Sequence, residues 1–227
     1  MLRSLVGSEM CIRDRLCTDL IKEADPQKAE TMTRVMGSEF KFLGVDAKAR
    51  RRIMQPYLRE AAETETEIDW DFVACCWDQN LREFRYLALQ YLLRQRNLLA
   101  NDAYKKLEKL MKDQPGWDTG NYFQKIVNFL TARYPQTKKT VLRWSTSEDP
   151  WFKRVALLHQ LDRGTYADLE LQEKILLNCL GAQEKPVKQA VGRCLRDLQR
   201  AFPDFVRQFC QDHADGLSTL SLKELKA

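Results

Sequence analysis

The chain has 227 residues, 44% hydrophobic and 30% charged, with nine Gly and seven Pro; this excludes a disordered or fibrous protein and allows a full core. No apolar run approaches the roughly 20 residues that a membrane-spanning helix requires. The net charge of +5 excludes a polyanionic protein and suits a polyanionic partner, without identifying one.

In chain order, Ser4 to Arg15 (SLVGSEMCIRDR) has a broken apolar pattern and lacks the continuous apolar stretch of a secretory signal. It resembles translated sequencing-adapter sequence, so residues 1–15 are set aside as non-native and 16–227 are read as one domain. The set-aside stretch holds Arg3, Arg13 and Arg15 against Glu9 and Asp14, so the basic excess survives its removal. From Leu16 onward the pattern predicts helix after helix, at roughly 17–24, 27–37, 46–62, 68–77, 81–93, 101–113, 117–132, 136–145, 151–161, 167–180, 187–202 and 204–213. The clearest is 187–202, where Val187, Ala190, Val191, Cys194, Leu195, Leu198 and Phe202 form one apolar stripe. Asp25-Pro26, Gly44, Gln114-Pro115-Gly116, Tyr134-Pro135, Asp149-Pro150, Gly164, Gly181 and Phe202-Pro203 punctuate the helices.

Seven Cys show no CxxC or zinc spacing, and the two His, His159 and His213, stand far apart. A reduced cytoplasmic protein without metal or other cofactor follows. Cys179 and Cys194 lie on apolar helical faces and read as small buried hydrophobes rather than as a nucleophile paired with His159.

FRYLAL begins at Phe84, FKRVAL at Phe152 and VKQAVG at Val187, each with a basic second residue and separated by 68 and 35 positions. The spacing fits a unit of about 34–35 residues with a weaker copy near 118, pointing to stacked helical hairpins. Tetratricopeptide signature residues are absent, which favours HEAT-like packing. The predicted fold is therefore all-α, a superhelical stack with a concave face. Arg82, Arg85, Lys153, Arg154, Lys188, Arg193 and Arg196 have a route to that face, where they would form a basic surface for a phosphate backbone. Arg50-Arg51-Arg52 and Lys138-Lys139 are either outlying backbone contacts or solvated faces. Trp70, Trp77, Trp144 and Trp151 read as core.

ADPQKAETMTRVMGSEFKFLGVDAKARRR, LREFRYLALQYL, WDTGNYF, RWSTSEDPWFKRVALLHQL, KQAVGRCLRDLQRAFP and the closing LSTLSLKELK together resemble the AlkD-type DNA alkylation repair proteins, the HEAT-like-repeat DNA glycosylases. The resemblance covers the chain from about Leu16 to the end. It implies a monomer that wraps a concave face around duplex DNA and releases N3- and N7-alkylated purines, without the tight-pocket base flipping common among enzymes acting on bases. The residues it marks are two cleft Trp, a carboxylate that stabilises the cationic sugar, and an Arg that holds the backbone.

Carried over by position, the first Trp falls on Trp117 and the Arg on Arg154. The catalytic Asp falls on Asn121, the second Trp on Arg193, and an aromatic position of the first recognition helix, Pro26 to Met36, on Val35. Asp118, one residue along the helix from Trp117, is turned about 100° away and is expected to cap the helix. Glu83 and Asp149 are the other carboxylates within consideration. These departures leave three readings: a glycosylase with an altered cleft, a DNA-binding relative without excision, and a protein-interaction scaffold.

Overall fold

The computed structural model describes residues 15–37, 40–113 and 116–227. The set-aside segment up to Asp14, and the Gln114-Pro115 connector, lie outside the described residues. All regular structure among the described residues is helical. The helices are α1 (15–22), α2 (Pro26–Met36), α3 (Ala47–Thr64), α4 (Trp70–Asp78), α5 (Arg82–Arg94), α6 (Ala103–Lys112), α7 (Trp117–Arg133), α8 (Lys138–Trp144), α9 (Pro150–Leu158), α10 (Leu169–Cys179), α11 (Lys185–Ala201), α12 (Pro203–Asp212) and α13 (Thr219–Lys226). Periodicity anticipates every one but α13.

The starts have a common cause. Asp25, Asp46, Asp69, Asp149 and Asp168 each accept a backbone N–H from the first turn of the helix that follows, satisfying donors that the helix cannot. Pro26, Pro150 and Pro203 stand at first-turn positions, where the missing N–H does no harm.

The chain divides into two compact units, Met1–Leu99 and Ala100–Ala227. In the first, α3 and α4 pack on α5, whose buried residues include Arg82, Glu83 and Arg85. The Glu83 side chain, fully buried, accepts the backbone N–H groups of Leu43, Gly44 and Val45 at 2.9, 3.0 and 3.1 Å. Arg82 donates its backbone N–H to the Lys41 carbonyl at 2.8 Å. Together they tie the 40–46 connector to the start of α5. Gly44 sits there at φ +88°, and a Cβ on it would lie 2.0 Å from the Asp25 carbonyl oxygen, so only glycine fits.

In the second unit α7, α9, α11 and α13 each pack on the next, while α6 lies on α7, α8 and α10 on α9, and α12 on α11. Consecutive helical hairpins thus lie side by side in two layers. The interior holds His159, which is fully buried; its Nδ1 donates to the Ala156 carbonyl at 2.6 Å and its Nε2 is buried without a partner. Burial above all pushes its pKa down to about 3. Burial likewise pushes the Cys179 thiol up to about 12 and raises that of Cys194, so neither behaves as a ready nucleophile. Trp77 and Trp144 are core, as expected, whereas Trp70 and Trp151 are only half-buried.

Two outcomes follow. Glu83→Ala strands three backbone donors and should lower the unfolding free energy by about 3 kcal/mol; a urea titration showing a loss below about 1 kcal/mol would contradict the clamp. His159 stays neutral when folded but takes a proton when unfolded, so its contribution is whole above the unfolded value of about 6.5 and declines as pH falls toward 3. Between pH 6 and 4 the wild-type stability should therefore fall more steeply than that of His159→Phe, by about 1.4 kcal/mol per pH unit. Equal slopes would contradict it.

Candidate nucleic-acid interface

The candidate residues of the second unit stand on α7, α9 and α11. The first turn of α7 is closed by Thr119, whose hydroxyl accepts the Gly116 N–H and donates to the Gly116 carbonyl, both at 3.2 Å. The expected cap, Asp118, instead lies within the first turn and is buried, because Gly116 already occupies the capping position. Trp117 opens the helix with 55% of its surface exposed. One turn on, Asn121 is half-buried, and its Oδ1 is out of solvent without a hydrogen-bond partner. Gln124, three residues further on the same face, has a buried Oε1 in the same condition. A Cβ at Gly120 would meet the Trp151 ring at 3.9 Å, so α9 lies in close contact with this end of α7.

From α9, Arg154 is 8% exposed. Its Nη1 donates to the Pro186 carbonyl at 3.1 Å, while its Nε is buried without a partner. Burial brings its pKa down to about 10, the charge of Arg193 adds to the lowering, and Glu224 opposes it. The two arginines placed by resemblance, 39 positions apart in the chain, are therefore electrostatic neighbours. Arg193 and Arg196 are half-buried on successive turns of α11, and among the described residues neither has a carboxylate within ion-pair distance. Lys153 is held 3.6 Å from Glu184, and Lys188 donates to Gln183 at 3.2 Å.

Sequence reasoning passed over what fixes this arrangement. A Cβ at Gly192 would lie 2.2 Å from the Ser221 carbonyl oxygen and 2.6 Å from the Glu224 Cβ, so α11 and α13 approach backbone to backbone at this point. The Ser221 hydroxyl donates to the Lys188 carbonyl at 2.8 Å and Gln189 reaches Glu224 at 3.4 Å. The glycine stood in QAVGR, but its role needed α13, which carried no periodic signal.

Other expectations change. In the first unit Arg82 and Arg85 are 2% and 4% exposed, with guanidinium carbons 4.2 Å and 5.0 Å from the Phe40 and Trp77 ring centroids. Stacking on aromatic rings withdraws them from the solvent-facing basic surface expected of them. Glu83, spent on the 43–45 amides, is no substitute carboxylate, and Asp149 caps α9. Lys138 pairs with Asp168 at 2.7 Å. Val35 is 77% exposed on α2, a helix with no buried residue. Among the described residues no cluster of His, Cys, Asp or Glu could hold a metal ion, and no helix is long and apolar enough to cross a membrane.

The profile of the family described as DNA alkylation repair enzyme matches residues 16–224. No curated protein matches the chain. A solved structure described as a predicted DNA alkylation repair enzyme from Enterococcus faecalis superposes with a TM-score of 0.82 at 21% identity, covering 89% of this chain and 94% of that one; it shows that the fold is shared.

Gly192→Ala should force α13 away from α11 and destabilise the protein by about 2 kcal/mol, read as a thermal midpoint lowered by several degrees. An unchanged midpoint would contradict the close approach.

Proposed function

Because the chain belongs to the DNA alkylation repair enzyme family, we propose that it binds duplex DNA through the face of its second unit that carries Trp117, Arg154, Arg193 and Arg196, and that it does so without excising N3- or N7-alkylated purines. In this reading the paired helices of that unit are HEAT-like hairpins, and the inner helix of each supplies the DNA contacts.

The reading is carried by the charge beside Arg154. Excision of an alkylated purine develops positive charge on the sugar, and the lesion is itself cationic. A carboxylate about 4 Å away would stabilise that charge by about 4 kcal/mol at an effective dielectric near 20, or roughly a thousandfold in rate. Asn121 offers an amide dipole with no net charge. Arg193 sits where the resemblance places an aromatic face, and a guanidinium repels what an aromatic ring attracts. Both substitutions therefore oppose the cationic transition state. A phosphodiester gains from the same pair, since guanidinium forks match phosphate oxygens.

Single-turnover release of N7-methylguanine from methylated duplex tests the proposal. The wild type should release base at the spontaneous rate while binding duplex, and Asn121→Asp with Arg193→Trp should raise release by up to about a thousandfold. Release by the wild type far above the spontaneous rate would sink the proposal and return Trp117, Asn121, Arg154 and Arg193 to catalytic roles.

A further inference from the structure

The run Arg50-Arg51-Arg52 in α3 sends its three side chains in three directions, as successive residues of a helix must. Arg50 is buried with its guanidinium carbon 4.5 Å from the Tyr86 ring centroid. Arg52 pairs with Glu23 at 2.8 Å. Arg51 instead lines a cavity of about 380 Å³ between α3 and α5, together with Met54, Gln55, Leu58 and Arg59 from α3 and Gln90 and Arg94 from α5.

Three arginines thus line one cavity, Arg51 with its Nε donating to the Ala47 carbonyl at 3.3 Å, and among the described residues none has a carboxylate within ion-pair distance. Of the two acids of α3, Glu60 lines a neighbouring pocket with Glu65 and Asp69, and Glu63, one turn beyond Arg59, lies outside the residues that line the cavity. Cations therefore outnumber carboxylates among the residues that line the cavity. Unneutralised like charges around a concavity repel one another, and an anion relieves that repulsion. The ligand is also constrained in shape. Arg51 and Arg59 are eight residues apart, about 12 Å along the helix axis, a spread that matches a chain of anionic groups. Gln55 and Gln90 add amide groups between them, and the buried Met54 forms an apolar floor.

We propose that this cavity is a binding site for consecutive phosphates of an extended polyphosphate, as one strand of DNA presents them. It lies wholly in the first unit and involves none of the residues assigned to the interface on the second. It rests on the DNA-binding reading only for the choice of a DNA strand as occupant; the phosphate chemistry stands on Arg51, Arg59 and Arg94 themselves.

The test uses the full chain and the variant Arg59→Gln/Arg94→Gln. Both residues are exposed, so the variant should fold, and circular dichroism and thermal midpoint check that it does. Two probes are titrated: inorganic tripolyphosphate by calorimetry, and a short unmodified duplex at several salt concentrations. The variant should lose tripolyphosphate binding, bind duplex at least about tenfold more weakly at low salt, and show a log–log salt slope shallower by about 2. If wild type binds no duplex yet binds tripolyphosphate through Arg59 and Arg94, the site stands with a free polyphosphate as its occupant, and it is the DNA-binding reading that fails. Should both probes bind variant and wild type alike, or tripolyphosphate bind neither, the site is overturned.

Discussion

A guanidinium taken out of water next to a second guanidinium is the constraint around which the second unit is arranged. Arg154 is tied by one hydrogen bond to the Pro186 carbonyl, and its charge is opposed by Arg193 and favoured by Glu224. Burial of a cation without a close carboxylate is unfavourable unless something else compensates. Part of the compensation is built in: Gly192 admits α13 so close to α11 that Glu224 comes into range of Gln189 and Arg154. In the proposed reading the rest comes from a bound anion, which relieves two adjacent cations. The depressed pKa of about 10 still leaves Arg154 charged at neutral pH, so the repulsion is present under ordinary conditions.

The same constraint separates binding from chemistry. Sites that break a bond to a cationic leaving group place negative charge and electron-rich faces where positive charge develops. Around α7, α9 and α11 the substitutions run the other way, with a neutral amide at Asn121 and a cation at Arg193, while the exposed Trp117 keeps an aromatic surface at the edge. In the proposed reading such a surface holds a phosphate backbone well and an oxocarbenium ion poorly. The basic groups of the first unit divide differently. Arg50, Arg82 and Arg85 serve the interior by stacking on rings, and Arg51, Arg59 and Arg94 remain open to a partner.

Much of this was legible in the sequence. Apolar stripes at helical spacing located α1 to α12, because each of those helices buries a face or, in α2, half-buries one at Ala29, Met32, Thr33 and Met36, and the Asp-Pro steps at Asp25 and Asp149 turned out to be caps with proline behind them. α13 was missed since eight residues with a single fully buried member, Ser221, carry no stripe. The fate of individual cations was the least legible. A basic residue beside apolar ones looks the same whether it faces solvent or an aromatic ring, and Phe40, on which Arg82 stacks, lies in a connector 42 positions earlier. The proximity of Arg154 to Arg193 could be inferred only by resemblance, since no local pattern links residues on separate hairpins.

The central claim is that the Arg154–Arg193 pair favours phosphate over a cationic lesion. It is tested most directly by measuring, at one salt concentration, the affinities of the wild-type protein for a duplex carrying one N7-methylguanine and for the same duplex unmodified. The account predicts equal affinities within about twofold, because backbone contacts carry no base information. A preference of about tenfold or more for the methylated duplex, worth about 1.4 kcal/mol, would mean that the site recognises the cationic base after all.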